Sequence, residues 1–542
     1  GRDPRFPDRC MRLPDIMGLS RFANWRRLLL PSILLACPVF AQSDPAIPLS
    51  VRSAVCSAIT NQPEVRLAEA TVRYRDGLAE ESSGAFDTTL KTGVRQAHEE
   101  KSEASTDPEA GTAFFDQAAD VTETAVSLAR QTRASLGVEL KADVTRTDLS
   151  AVPGEPPAEP DNAAAVMLTI SQPLLKGRGR AGTAAGEEAA RLSAGAGRWQ
   201  LKHTGAAAAA TATRAHGAAP LARRQAEIQH NAEARASNLV QQIQLLIDHG
   251  ERPATERYQA EANLADVTKA RLVGEQTAVE AFQALLLAMG VEPARLRDAA
   301  QLSDDFPALP APEQFAAVDL DWLMAAACRH RADLTAAGIE ESALDVLIAR
   351  ARRNAAPRLD LQAGVGYNSL RQGEAASDYA GSLADRIPGA GFFVGIDGEW
   401  PFENRAARGQ LRQAEAQRDQ ARSQKDALAR TVNSEVIRTW SRVRTYGEIL
   451  KTSEWAVRQY EQYLASEKKK YQMGLNTLLE VLFAENQLTQ ALLNLVLARS
   501  DLAVGLVELR YVTGTLVREA EGGTLVVEEL ARLPAPAAEP KP

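Results

Sequence analysis

The chain has 542 residues, of which 45% are hydrophobic, 24% charged and only 5% aromatic, with a formal net charge of −8. An apolar share near the globular average excludes a chain that is disordered throughout, and the acidic balance argues against nucleic acid as a partner. Four cysteines without a paired C-x-x-C spacing exclude a disulfide scaffold and a zinc ribbon, and no run beyond residue 42 reaches the ~18 apolar residues of a membrane helix.

The first residue is Gly1 rather than Met, so a start at Met11 or Met17 is expected. Arg21, Arg26 and Arg27 precede an apolar run from Leu28 to Phe40, and Val39-Phe40-Ala41 offers small or apolar residues before Gln42. That is the pattern of a secretory signal peptide, and its apolar core of ~13 residues is too short to span a bilayer. Cleavage after Ala41 would remove seven basic and three acidic residues and leave 55 against 67, a net −12. Leu34-Leu35-Ala36-Cys37 offers an alternative, a lipobox that would acylate Cys37 and tether the chain to a membrane. The mature chain keeps Cys56 and Cys328, both in apolar helical contexts. Buried thiols are the plain reading there, and a disulfide between the two is the alternative in an oxidising compartment.

The rest reads as two related halves, residues 42–303 and 319–520, with a Pro-rich linker at 304–318 and a Pro/Ala-rich tail at 521–542. One offset superposes Gly250 on Gly474, Glu256 on Glu480, Ala260-Glu261 on Ala484-Glu485, Leu264 on Leu488 and Gly290 on Gly514. Each half runs helix, strands, very long helix, turn, helix. In the first half the opening helix is expected from Leu49 to Ser82. Period-two patterns follow: Phe86, Leu90 and Val94; then Leu136, Val138, Leu140, Ala142 and Val144 opposing Glu139, Lys141 and Asp143; then Val166, Leu168 and Ile170. Thr122–Thr132 reads as additional strand material, and the polar stretches Glu99–Asp120 and Ala151–Asn162 as external loops. Gly177-x-Gly179-x-x-Gly182 sits where a dinucleotide loop would, but no second parallel strand follows, so the glycines serve a turn into a helix. That helix is expected from Ala184 to His249 and would be ~100 Å long, with a kink or local break at Pro220.

In the second half, Leu359, Leu361, Ala363, Val365 and Tyr367 oppose Arg358, Asp360, Gln362 and Asn368. Phe392, Val394, Ile396 and Trp400 oppose Asp397 and Glu399, and Phe392, Phe393, Trp400 and Phe402 are candidate membrane-interface aromatics. Segments of ~10 residues with one apolar and one charged face suit tilted transmembrane strands. One chain offers too few of them to close a barrel, and lipid does not tolerate open edges, so several copies must share one. The second long helix is expected from Ala406 to Gln472. After it, Ala484, Leu488, Ala491, Leu495, Ala498, Leu502, Leu506 and Leu509 keep a coiled-coil period with many small residues. No nucleophile–base motif or metal-ligand spacing appears, so no enzyme, cofactor or metal is expected.

With these segments in order, the chain resembles the TolC-like outer membrane efflux family. The resemblance is carried by LTISQPLLKGRG from Leu168, PRLDLQAGVGY from Pro357, PFENRAARG from Pro401, YQMGLNTLLEVLFAENQL from Tyr471, the opening IPLSVRSAVCSAITNQPE, and RADL at Arg331–Leu334. It implies an α+β membrane protein: duplicated antiparallel coiled-coil helices forming a periplasmic α-barrel, and transmembrane strands contributing to a shared trimeric β-barrel. It implies a homotrimer in outer membrane lipid with a large periplasmic portion. The trimer would be a passive exit duct of a tripartite efflux or type I secretion system. Its partners would be a periplasmic adaptor (membrane fusion) protein and an inner-membrane transporter of RND, ABC or MFS type. The tip would lie at the turns of Gly250 and Gly474. There Glu480 matches a tip carboxylate, and Tyr471 and Glu256 match a closed-state hydrogen-bond network. Asn476 stands where some members carry a closing arginine, and Phe483 where some carry a second carboxylate, which points to a less ionic gate with Phe483 as a hydrophobic constriction. The alternative is a periplasmic coiled-coil adaptor or envelope tether, which would lack the duplicated membrane-length strands.

Overall fold

The protein is described from a computed structural model, which covers residues 47–107, 111–150, 159–292, 300–302, 309–310, 314–315, 318–384, 389–519, 525–527 and 533. The expected signal peptide, Cys37, the core of the linker and the tail beyond 533 lie outside the described residues. Two compact units form, the first drawn from Gly1–Val72, Gly197–Ala336 and Lys425–Pro542, the second from Arg73–Ala196 and Ala337–Gln424.

In chain order the first half gives β1 (Ile47–Leu49), α1 (Val51–Asn61), α2 (Pro63–Ser83), β2 (Thr89–Asp107), β3 (Gly111–Gln131), β4 (Gly137–Leu149), β5 (Asp161–Pro173), α3 (Arg180–Thr183), α4 (Ala185–Asp248), α5 (Thr255–Ala288) and β6 (Ala300–Leu302). The second half gives α6 (Leu320–His330), α7 (Ala332–Asn354), β7 (Arg358–Gln372), α8 (Ala376–Gly381), β8 (Ala390–Glu399), α9 (Arg405–Gln472), α10 (Leu478–Val512), β9 (Val517–Glu519) and β10 (Leu525–Val527). The mixture of long helices with a large antiparallel sheet and two short strand pairs makes the fold α+β.

The first unit is helical, and its two halves use the same devices. Ser50 and Asp319 cap α1 and α6 at their N-termini, accepting from the backbone N–H of Ser53 and Asp321. Four helices end on a left-handed glycine: Gly250, Gly290, Gly474 and Gly514, all with φ between 69° and 75°. Each end makes the paired backbone bonds of a Schellman motif, for example Gly474 N to Tyr471 O at 3.0 Å and Leu475 N to Lys470 O at 2.9 Å. The opening helix divides at Gln62, because Pro63 suits a helix start and disfavours helical backbone just before it. Pro220 does not break α4, which is continuous over 64 residues. Cores form between helices of the two halves and also within the second half alone. Val55, Ile59, Ala209 and Ala212 pack with Val507 and Leu516; Leu323, Val436, Trp440, Leu502, Leu506 and Leu509 form a second cluster. Alanine at the contact lets helix backbones approach closely. The short parallel pair β1–β6 was not foreseen. Cys328 is exposed and unpaired, so neither a Cys56–Cys328 disulfide nor a buried Cys328 thiol forms.

The second unit is built on one six-stranded antiparallel sheet of order β2-β3-β4-β5-β7-β8. The stretch Glu99–Asp120 is not a loop. It belongs to a long hairpin in which β2 and β3 pair from Thr89↔Ala129 out to Asp107↔Gly111. Phe86 is not a strand residue either. It lies in a 3₁₀ turn, buried, with the Arg133 guanidinium 4.8 Å from its ring centroid. Arg133 also donates two hydrogen bonds, of 2.6 and 2.7 Å, to Glu187 in the first turn of α4. That bond, against the opposing effect of burial, holds the Glu187 carboxyl below its ordinary range. Gly177 and Gly179 have positive φ, and a Cβ at Gly182 would lie 2.4 Å from the Gly177 carbonyl carbon. The glycine triplet is therefore a tight strand-to-helix turn.

Candidate functional site

Two sites follow from these elements: the paired turns at Gly250 and Gly474 in the first unit, and the sheet wall in the second. At the turns, Tyr471 ends α9 with only 5% of its surface exposed. Its hydroxyl donates to Glu256 Oε2 at 2.7 Å, and Glu256 occupies the first turn of α5, where a helix N-terminus favours a carboxylate. Arg252 completes the contact. Its Nη2 donates to the Tyr471 carbonyl at 2.7 Å, its guanidinium lies 4.3 Å from the Tyr471 ring centroid, and its Nη1 is 3.7 Å from Glu256 Oε1. The first turn is thereby latched to the second. Burial, then the Glu256 hydrogen bond and charge, push the Tyr471 phenol well above its ordinary value, so the group stays a neutral donor. Leu239, Ile243, Leu478, Val481 and Leu482 pack behind it.

Asn476 acts within its own hairpin. Its Nδ2 donates a short hydrogen bond to Glu467, which also accepts from Lys470 Nζ at 2.6 Å, while its Oδ1 accepts from the Thr477 N–H at 2.7 Å. Glu480 and Phe483 are exposed on α10, and Phe483 shows 55% of its surface. The structure therefore joins Tyr471 to Glu256 and leaves Glu480 and Phe483 outside that cluster. Sequence reading missed Arg252, Glu467 and Lys470. The available signals were ordinary helix spacings, Arg252 to Glu256 at i,i+4 and Glu467 to Lys470 at i,i+3.

In the sheet, register aligns like with like. Leu90, Leu128, Leu140, Leu168, Val365 and Phe392 form one row across all six strands. Thr92, Val126, Ala142, Val166, Tyr367 and Ala390 form the next row on that face. Val138, Ile170, Ala363 and Val394 form a third row on the same face, flanking the first row from the opposite direction along the strands. From Leu359 to Tyr367 the apolar band runs ~27 Å along β7, or ~21 Å in height at a barrel tilt of ~40°. That is close to the ~25 Å band of outer-membrane barrels. It ends at a polar row, Gln96, Thr122, Arg146, Asn162 and Arg371. The opposite face is mostly charged or small: Lys91, Ser127, Lys141, Gly366 and Gly391 align there, with Met167 the one apolar residue in the row.

The four candidate aromatics separate. Phe392 lies in the middle of the apolar band, 86% exposed. Phe393 occupies the opposite face, as its neighbour in a strand must, and its ring covers Gly364. Trp400 and Phe402, 70% and 95% exposed, stand just beyond the end of β8. Tyr379 of α8, unforeseen, donates to Thr124 Oγ1 at 2.6 Å near the other rim.

Residues 323–515 match the family described as outer membrane efflux protein. The fold is similar to that of the outer membrane protein VceC of Vibrio cholerae, at 18% identity over 86% of this chain and 96% of that one, with a TM-score of 0.59. It is similar to the Campylobacter jejuni CmeC outer membrane channel, at 12% identity over 93% and 96%, with a TM-score of 0.60. A third likeness is to the outer-membrane channel OprN, at 17% identity over 86% and 90%, with a TM-score of 0.60. Comparison with curated proteins finds no match.

Proposed function

We infer that this chain, whose residues 323–515 match the outer membrane efflux protein family, belongs to that family and is an outer membrane exit duct. The similar structures are described as outer membrane proteins or channels, which supports a conducting role for this chain. The observation that carries the reading is the register of the sheet, which places an apolar belt on one face and small or charged residues on the other. Such a wall separates lipid from water. Three copies share the barrel, and the repeats at 42–303 and 319–520 supply the helical hairpins of a periplasmic α-barrel. Energy and substrate choice come from an inner-membrane transporter of RND, ABC or MFS type, joined through a periplasmic adaptor. The exposed Met473, Leu475 and Leu479 at the second turn are apolar enough to serve as its seat.

The Arg252–Glu256–Tyr471 contact is the latch that keeps the tip narrow. A hydrogen bond to a charged group contributes about 1.5–3 kcal/mol, so Tyr471→Phe and Arg252→Ala should each raise conductance across planar bilayers several-fold over the parent. Parent and variants that are all silent in bilayers would sink the duct reading. Variants equal to a conducting parent would sink the latch. Three copies of Glu480 would ring the opening and favour cations. Glu480→Gln should therefore shift the reversal potential in a salt gradient toward non-selectivity, and an unchanged potential would remove Glu480 from the pore.

A further inference from the structure

We propose that the β2–β3 hairpin is part of the barrel wall, so that three copies close an eighteen-stranded barrel in which β2 of one copy pairs with β8 of the next. The proposal rests on the trimeric duct inferred above. The six strands alternate in direction across the whole sheet, so its edges, β2 and β8, run oppositely. Setting the β2 edge of one copy against the β8 edge of another continues an all-antiparallel ladder. An unpaired edge in hydrocarbon leaves backbone groups unsatisfied at several kcal/mol each, so β2 needs a partner if it is in the wall.

Two features place it there. β3 pairs with β4 from Ala119↔Leu149 to Gln131↔Gly137, as continuously as β4 pairs with β5. The faces also agree. Leu90 and Val94, 66% and 75% exposed, extend the apolar rows onto β2. Lys91 and Arg95 extend the charged face beside Ser127 and Glu123. A hairpin lying off the wall would have no reason to keep that two-sided pattern in register with its neighbours. Past Ala118, which still bonds Ser150, the hairpin continues alone, with Lys101↔Gln117 to Asp107↔Gly111 pairing only each other. That is ~20 Å of two-stranded ribbon and begins where the β4 side ends. Its sequence there, Glu99-Glu100-Lys101-Ser102-Glu103, suits water beyond the band.

The consequence is a wider exit. At 4.8 Å between strands and a tilt of ~40°, eighteen strands give ~36 Å between opposite backbones, whereas twelve, the ring without β2 and β3, give ~24 Å. The extra width suits bulky solutes or polypeptide rather than small molecules alone.

Electron cryomicroscopy of the full chain extracted in detergent tests this directly. A three-fold ring of eighteen strands, with each β2 beside a neighbour's β8, is the expected result. A three-fold ring of twelve, closed by β4 on β8 with the hairpin off the wall, overturns the proposal and leaves the duct intact. A monomer, or a solid rod, overturns the duct itself and the proposal with it. Labelling in liposomes gives an independent reading on single variants. In a Cys328→Ser background, a membrane-impermeant maleimide should label Lys91→Cys and Arg95→Cys about tenfold faster than Leu90→Cys and Val94→Cys, because only the first pair faces water. Equal rates at all four positions would place β2 outside the wall.

Discussion

Arg331→Ala should lower stability by about 3–5 kcal/mol, because it strips the partner from a buried carboxylate. Arg331 and Asp333 are 6% and 8% exposed. The guanidinium meets Asp333 in a two-bond fork, Nε to Oδ1 at 3.0 Å and Nη2 to Oδ2 at 2.6 Å, and reaches Glu435 of α9 at 2.9 Å. His203 of α4 lies 3.9 Å from the same carboxylate. Burial alone would raise the Asp333 carboxyl, but the Arg331 hydrogen bonds, then His203 and the Arg331 charge, outweigh it and hold the group below its ordinary 3.8. The sign follows. A carboxyl with a depressed folded pKa contributes stability that is fully present above its unfolded value and lost as pH falls through the folded one. In the parent, the denaturation midpoint should therefore be flat above about pH 5 and decline below about pH 4. In Arg331→Ala burial dominates, so the variant is penalised most when Asp333 is charged, and the gap to the parent should narrow on acidification. Arg331→Lys should recover only part of the loss, since an ammonium cannot make the fork. A gap that is constant from pH 7 to pH 4 would show that the lost packing, not the charge pair, sets the cost.

Much of the fold was legible because its periods are long and undisturbed. The expected limits of the two long helices, Ala184–His249 and Ala406–Gln472, fall within a residue of α4 and α9, since glycine and strand-to-helix turns punctuate both ends. The faces of β4, β5, β7 and β8 could be read from alternation alone. The hairpin β2–β3 was not legible past Glu99, because a two-stranded ribbon without a third strand beside it need not be apolar on either face, and the alternation disappears. Pro220 misled for a related reason. A proline usually breaks a helix, but α4 runs through it beside Ala219, which packs with Ala54 and Leu285, so tertiary contact holds what local propensity disfavours. At the turns, Tyr471 and Glu256 came from family resemblance. The third residue of the latch, Arg252, carries only an i,i+4 spacing to Glu256 as a sequence signal, and its bond to Tyr471 shows only where the two turns approach in three dimensions.

Gly514→Ala should be far more costly than Gly474→Ala, although the two glycines have almost the same backbone. Their φ values are 70° and 75°, and both end long helices in the same hydrogen-bonded motif. A Cβ in that left-handed region costs about 1–2 kcal/mol, and at Gly474 it would meet nothing within 4 Å. At Gly514 it would lie 2.6 Å from the His330 carbonyl carbon and 2.8 Å from the Arg331 nitrogen. Those are backbone atoms at the α6–α7 junction and cannot rotate away, so overpacking adds about 1–3 kcal/mol. The first half repeats the arrangement: a Cβ at Gly290 would lie 2.7 Å from the Asn61 carbonyl carbon, at the α1–α2 junction. There Gln62 Nε2 also donates to the carbonyls of Leu287 and Ala288, at 2.8 and 2.6 Å. Gly250, like Gly474, stands in open space. The four alanine variants should therefore fall into two pairs by denaturation midpoint, Gly290 with Gly514 and Gly250 with Gly474. The first pair should be less stable by about 1–3 kcal/mol. Four equal midpoints would mean that the helix ends are not seated on those junctions. The pairing has a functional side as well. In the duct inferred above, a turn that tolerates a side chain would be free to move at the tip, whereas a helix end seated on backbone would be fixed, and the repeat puts one of each kind at the two ends of α5 and of α10.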